Sequence, residues 1–156
     1  MDHKAVFLVV DDFDLMCKAT VSQLRTMGFH NTLTATNGAE ALQIMSQLKV
    51  DVVLSDWNMP VMSGLDLFHV MQADPALEDT PFVLITAEAE PRQIREAVAA
   101  GVTELIIKPY LPRRLQEQIE KVLSPEYKNR RRAATLARKA NQQLATRAQV
   151  AISSGP

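Results

Sequence analysis

The sequence predicts an α/β domain in which a mainly parallel sheet carries helices on both faces, and three observations lead there. Five short strand-like runs alternate with five longer segments whose apolar residues recur at helical spacing. The first, third and fourth runs are apolar almost throughout, as in strands covered on both sides. The polar residues Asp11, Asp12, Asp56, Thr86 and Lys108 each fall at or just after the end of a run. In β-α-β units such ends share one edge of the sheet.

Taken in order, Val6 to Val10 is an apolar run closed by Asp11-Asp12. From Asp14 to about Met27, Leu15, Val21, Leu24 and Met27 fit a helix, with Gly28 suited to its C-terminal stop. Thr32 to Thr36 is a β-branched second strand. Asn37 is placed to cap the next helix, with Glu40 three residues on completing a capping box; Ala41, Leu42, Ile44, Met45 and Leu48 follow at helical spacing. Val52 to Ser55 is the third strand, ended by Asp56 and a Pro60 turn. Leu65, Leu67, Phe68 and Met71 mark the third helix. The stretch 74–81 reads as loop and Phe82 to Ile85 as the fourth strand. Pro91 suits a first helical turn, and Gly101 closes that helix. Leu105 to Ile107 is the fifth strand, and Pro112 opens a helix with Leu115, Ile119, Val122 and Leu123 inward.

Composition narrows the functional classes. Of 156 residues, 47% are hydrophobic and 22% charged, enough to bury a core. One cysteine, Cys17, excludes an internal disulfide and suits a reducing compartment. No apolar run approaches the roughly 20 residues of a membrane span, and the start is too short and too acidic for a signal peptide; the expectation is a cytoplasmic protein. The net charge of −1 hides a split. Residues 1–123 hold 10 Lys and Arg against 17 Asp and Glu, net −7, whereas residues 124–156 hold 7 against 1, net +6. The expected boundary therefore falls at Ser124-Pro125, with a folded unit over 1–124 and a basic Ala/Arg-rich helical extension over 125–156, helical to about Gln149 and frayed over Ser153–Pro156. Its apolar stripe, Ala133, Ala137, Ala140, Leu144 and Ala148, is mostly alanine, so self-association through it would be weak.

The strand-end residues imply a chemistry when placed together. Two carboxylates about 4 Å apart repel by roughly 4 kcal/mol at an effective dielectric near 20, so Asp11, Asp12 and Asp56 in one pocket call for a cation or a shared proton. Oxygen donors without a His/Cys cluster favour Mg²⁺ over zinc, with Mn²⁺ as a substitute. A carboxylate beside such an ion is a competent nucleophile toward phosphorus. Lys108 and Thr86 would then meet the charge and the oxygens of a transferred phosphoryl group.

The segments Phe7-Leu8-Val9-Val10-Asp11-Asp12-Phe13, Ser55-Asp56-Trp57-Asn58-Met59-Pro60 with Met62-Ser63-Gly64-Leu65, Thr86-Ala87-Glu88-Ala89 and Lys108-Pro109-Tyr110 together resemble the receiver domain of two-component response regulators, most of all its chemotaxis members. The resemblance spans residues 5 to about 123. It implies a flavodoxin-like (βα)5 doubly wound sheet of strand order 2-1-3-4-5, here with a C-terminal helical extension. It implies that Asp56 accepts a phosphoryl group from a phosphohistidine on a sensor histidine kinase or a histidine phosphotransfer protein. Asp11, Asp12, Asp56 and the Asn58 carbonyl would hold Mg²⁺. Thr86, Ala87 and Lys108 would touch the phosphoryl group, and Asn58 and Glu88 would set the rate of its hydrolysis. An output protein would read the face of the fourth helix, fifth strand and fifth helix, with a dimer as a further form of the chain. The Lys108-Pro109 bond is often cis in this family. At the position of the chemotaxis members' aromatic switch residue this chain has Leu105, which has no ring or hydroxyl to swing.

Other readings compete. A receiver cut from a longer regulator has the same sequence signature. A phosphohydrolase working through an aspartyl phosphate would show an Asp-x-Asp nucleophile, and Asp12-Phe13-Asp14 lacks the rest of that pattern. The glycines build neither a dinucleotide fingerprint nor a Walker loop. Asp11-Asp12 are also candidate helix caps, and Trp57 is a candidate surface aromatic for a partner. Neither a nucleic acid nor a membrane is indicated, since aromatics are absent after Tyr127.

Overall fold

The computed structural model describes residues 2–154. Its elements are β1 (Phe7–Val10), α1 (Asp14–Thr26), β2 (Thr32–Ala35), α2 (Gly38–Gln47), β3 (Val52–Ser55), α3 (Gly64–Ala73), β4 (Phe82–Thr86), α4 (Pro91–Ala99), β5 (Leu105–Ile107), α5 (Pro112–Leu123) and α6 (Pro125–Ser153). The five strands are all parallel, in the order β2-β1-β3-β4-β5, which is the expected flavodoxin-like sheet.

Strand pleating divides the core. Phe7, Val9, Val52, Leu54, Val83 and Ile85 face one side, where Cys17 and Leu24 of α1 and Leu115, Ile119 and Val122 of α5 meet them. Leu8, Val10, Val53, Phe82 and Leu84 face the other, against Ala41 and Met45 of α2, Leu67, Phe68 and Met71 of α3 and Ala97 of α4. Strands this apolar can sit only between two helical layers.

Several local expectations shift by a residue or a face. The expected box at α2 is built one residue wider: Asn37 Oδ1 accepts the Glu40 amide at 2.9 Å, but the Glu40 carboxylate reaches back to Thr36 rather than to Asn37. The N-cap of α1 is Phe13, without a side-chain cap, and Asp11 Oδ1 accepts the Phe13 amide at 2.9 Å. Asp11 therefore orders the turn before the helix, and neither acid is its N-cap. Leu15 is 67% exposed; Cys17, Thr20 and Leu24 form the buried stripe of α1. Trp57 is buried in the core, which corrects its reading as a surface aromatic. Cys17 is buried, and burial pushes its thiol above its ordinary pKa.

The tail is helical four residues beyond the expected end, and it is not simply solvated. Tyr127 and Thr135 are buried. Arg131 donates to the Glu78 carbonyl at 3.0 Å, Thr135 to Asp79 at 3.0 Å, and Arg138 to Gln72 and to the Glu78 carboxylate at 3.2 Å. Lys139 completes the pair around Glu78, whose side chain is 6% exposed. The first half of α6 thus lies across the loop between α3 and β4, at the sheet edge where β4 begins. Of the tail's expected frayed end, Ser153 is helical and Gly155-Pro156 lie outside the described residues. Replacing Glu78 by glutamine is expected to loosen this docking by about 1–3 kcal/mol, less than a fully buried pair because Arg138 and Lys139 are partly exposed. Hydrogen exchange would show it as faster exchange of amides 126–139 with the strand amides unchanged.

Candidate functional site

In this strand order β1 is flanked by β2 and β3, and the chain direction of the crossovers reverses between β1 and β3, the place where such sheets bind ligands. Val10 pairs with Ser55 across that boundary, so the next residue of each strand brings Asp11 beside Asp56. The Asp56 amide donates to the Val10 carbonyl at 2.9 Å, and the Asp11 amide to the Ala35 carbonyl at 3.0 Å. Thr86 closes β4, and the Lys108 amide donates to its carbonyl at 2.8 Å. Backbone ladders alone therefore place all four strand ends on one rim.

The side chains converge as the sequence suggested. Asp11, Asp12 and Asp56 each offer a carboxylate oxygen, all within 4.8 Å of one another. Lys108 Nζ lies 3.6 Å from Asp11 Oδ2 and 3.8 Å from Asp56 Oδ1. These are ion-pair separations rather than close hydrogen bonds, so the ammonium balances charge without closing the pocket. Burial holds the Asp56 carboxyl above the usual aspartate range; Lys108 and the Trp57 amide pull it back, and Asp11 and Asp12, more weakly, push it up again. Asp56 Oδ1 accepts that amide at 2.8 Å, and Oδ2 takes no protein hydrogen bond among the described residues.

Around this centre, Thr86 is fully buried and its Oγ1 accepts the Glu88 amide at 3.0 Å, leaving its own proton to donate. Ala87 follows on the surface. Asn58 Nδ2 donates to Glu88 Oε1 at 2.8 Å, joining the two residues that flank the acid pocket. Leu105 is half-buried on the edge strand, and its carbonyl accepts Arg114 at 3.2 Å. Tyr110 turns the other way, donating to Gln23 of α1 at 3.0 Å. The Lys108-Pro109 bond is cis.

A set of three carboxylates with no imidazole or thiolate among them suits a hard divalent ion. Asp12 is exposed and Asp11 buried, so the set opens outward, as Mg²⁺ needs in order to keep waters and accept a phosphate oxygen.

Three supporting residues were not legible in the sequence. Ser55 Oγ donates to the Asp56 carbonyl at 2.8 Å. Gly64, at the start of α3, leaves no room for a side chain, because a Cβ there would stand 2.0 Å from the Asp56 carbonyl oxygen. Val61, in the same loop, has φ 68°, a conformation that costs an L-residue about 1–2 kcal/mol. A valine followed by Met and Ser gives no sign of it. Since Val61 is 85% exposed, glycine there loses no packing; after glycine's own entropic cost of about 0.5–1 kcal/mol, Val61→Gly is expected to raise the urea midpoint by the equivalent of up to about 1 kcal/mol.

Comparison with known proteins bears on this geometry. The sequence profile of the response regulator receiver domain matches residues 7–120. The chain is 42% identical over 115 residues to the chemotaxis protein CheY of Pseudomonas aeruginosa, covering 74% of this chain and 93% of that protein. It is 43% identical over 115 residues to the chemotaxis protein CheY-3 of Vibrio cholerae, covering 74% and 88%. Its fold superposes on the signal receiver domain of a signal transduction histidine kinase from Syntrophus aciditrophicus with a TM-score of 0.72 at 27% identity, covering 76% of this chain and 89% of that one. With the chemotaxis response regulator CheY4 of Vibrio cholerae the TM-score is 0.70 at 32% identity, covering 77% and 99%. Profile, identity and strand order agree, and the chain belongs to the response regulator receiver domain family.

Proposed function

We propose that this chain is the phosphoryl-accepting switch of a two-component relay, with Asp56 as the acceptor and residues 1–124 as the switching unit. The observation that carries the reading is the convergence of the Asp11 and Asp12 carboxylates and the Lys108 ammonium on the Asp56 carboxylate. An acceptor carboxylate must be ionised to attack, and Lys108 and the Trp57 amide favour that form against burial. Asp56 Oδ2 attacks the phosphorus of a phosphohistidine, and the imidazole of the donor leaves. Lys108 meets the charge of the arriving group, and the Thr86 hydroxyl and the Ala87 amide orient its oxygens.

Asp11, Asp12, Asp56 and the Asn58 carbonyl are the residues that would hold Mg²⁺. When bound, the ion would neutralise the acid cluster and the developing phosphoryl charge. The Asn58–Glu88 pair flanks the entrance, which supports a role in admitting the water that later hydrolyses the phosphoaspartate. The donor is a sensor histidine kinase or a phosphotransfer protein. The output surface is formed by α4, β5 and α5, where Ile107, Leu111 and Val98 are exposed. With Leu105 in place of an aromatic, that surface has no ring to bury upon activation, so a partner selective for a rotated aromatic would not be its target.

Incubation with a radiolabelled small-molecule phosphodonor and Mg²⁺ tests the acceptor. The expected result is one base-labile, hydroxylamine-sensitive label per chain, on the peptide containing Asp56 and lost with a chelator. Label on another residue, or release of many phosphates per chain from a phosphate ester, would overturn the reading; the latter would make the protein a phosphohydrolase.

A further inference from the structure

Tyr127, Arg130, Arg131 and Ala134 stand at positions i, i+3, i+4 and i+7 of α6 and so share one side of the helix. With Thr103 and Glu104 of the turn before β5, and Lys121 in the last turn of α5, that side walls a recess of about 300 Å³. The recess is cationic on balance. Its one acid, Glu104, is 3% exposed, and its Oε2 already accepts Lys121 Nζ at 3.0 Å and the Gln118 side-chain amide. Arg130 is exposed and makes no ion pair or side-chain hydrogen bond among the described residues. Arg131 gives one N–H to the Glu78 carbonyl at 3.0 Å, and its Nε is buried with no acceptor. Buried donors of this kind are met in native proteins by an ordered water or an ion. Ala134, one turn on from both arginines, puts only a methyl group between them. Burial pushes the Tyr127 hydroxyl above its ordinary pKa; the Thr103 side chain and the charges of Arg131 and Arg130 pull it back, against Glu104. Both guanidinium groups therefore act on the hydroxyl at the back of the recess.

We propose that this recess binds the phosphate group of a small soluble phosphate ester, and that the ligand pins α6 to the body. A guanidinium is a planar fork that pairs with two oxygens at once. A carboxylate has two oxygens and serves one fork, whereas a phosphate monoester has three free oxygens and serves both. A divalent cation does not suit the recess, because its only carboxylate is already paired with Lys121. The volume is at the lower end for small-molecule sites, enough for a phosphate and a few carbons but not for a protein segment. No exposed large apolar side chain lines it, so a lipid surface gains nothing there. Its one aromatic, Tyr127, is buried and offers no face to a nucleic-acid base. Thr103 and Glu104 precede β5 while Lys108 follows it, so the recess and the acid pocket lie at opposite edges of the sheet. The proposal is therefore independent of the role of Asp56. Because the walls belong to the body and to α6 together, the ligand binds only the docked form and holds it by mass action.

The test titrates the isotope-labelled full chain with glycerol phosphate, with chelator present and ionic strength held constant by chloride, and follows the amide resonances. The expected result is one saturable set of shifts centred on Thr103, Tyr127 and Arg131, with Asp56 and Lys108 unmoved. Arg130→Gln should weaken the affinity roughly tenfold or more, and Arg130→Lys, which keeps the charge but not the fork, by less. Arg132→Gln removes the same charge from an exposed neighbour outside the recess and should change the affinity less than about twofold. Circular dichroism checks that all three variants fold. With ligand at about ten times its dissociation constant for wild type, exchange of amides 126–139 should slow about tenfold in wild type and about twofold or less in Arg130→Gln. Equal loss in Arg130→Gln and Arg132→Gln would mean a diffuse basic surface and overturn the inference. So would acetate binding as tightly as the ester, tighter binding to vesicles containing phosphatidic acid, shifts that never saturate, or tail exchange unchanged at saturation.

Discussion

Replacing Asp56 by asparagine is expected to abolish phosphoryl labelling and, in the same protein without metal, to raise stability at neutral pH. The amide retains an oxygen for the Trp57 amide but has no lone pair that attacks phosphorus as a carboxylate does. The stability gain follows from the electrostatics. Burial, with Asp11 and Asp12, holds the Asp56 carboxyl above its unfolded value. Between the unfolded and the folded pKa the native state therefore binds more protons than the unfolded state, so stability falls as pH rises through that window. Asparagine removes the fall. The variant should match wild type below about pH 3.8, where both carboxyls are neutral, and exceed it at pH 7, read as a higher melting temperature. Thermal melts across pH with chelator present check the sign. Added Mg²⁺ should raise the wild type more than the variant. Equal labelling of both proteins would remove Asp56 from the acceptor role, and a less stable variant at pH 7 would mean that Lys108 outweighs burial and the two neighbouring acids.

Replacing Gly64 by alanine is the second large expected effect, and it links fold to site. The added methyl would stand 2.0 Å from the Asp56 carbonyl oxygen and 3.1 Å from Leu84. The first contact is with backbone, which cannot rotate away. Either the start of α3 or the turn after β3 must move by more than 1 Å, and the Gly64 amide bond to the Trp57 carbonyl, 2.8 Å, would break with it. A loss of roughly 2–4 kcal/mol is expected, read from the denaturant midpoint. The folded fraction should also label slowly, because the carbonyl that moves belongs to Asp56, the proposed acceptor. Gly101→Ala is a useful contrast. It also replaces a glycine, and its φ of 104° makes it costly in stability, but its methyl would only touch Phe68 at 3.7 Å and should leave labelling by the folded fraction unchanged.

How much of this was legible beforehand can be traced residue by residue. Asp11, Asp56, Thr86 and Lys108 could be gathered from sequence because a parallel sheet built through helical crossovers has all its strand ends of one polarity on one edge. Their order along that edge, and Lys108 reaching past β4 to both acids, required the strand pairing. Trp57 was misread because a tryptophan after an acid at a strand end has no periodicity to place it, and only the packing of α2 and α3 buried it. Gly64 stood in the sequence only as part of a matching segment, since nothing there shows that the carbonyl of Asp56, eight residues earlier, returns to the same point.

The tail shows the division most clearly. Its alanine spacing and its charge identified a basic helix, because helical periodicity and composition are local properties. Which side of that helix meets the body was beyond any local property. A stripe of alanines buries little area, while an arginine and a lysine around one buried carboxylate, with a second arginine on the carbonyl of the same residue, gain charge-assisted hydrogen bonds in a poorly solvated place. The sequence by itself determined the elements, the edge on which the acids gather and the chemistry they favour. The tertiary structure alone decided which oxygens remain free, which glycine must stay bare and which face of the last helix meets the body, because those depend on distances between residues far apart in the chain.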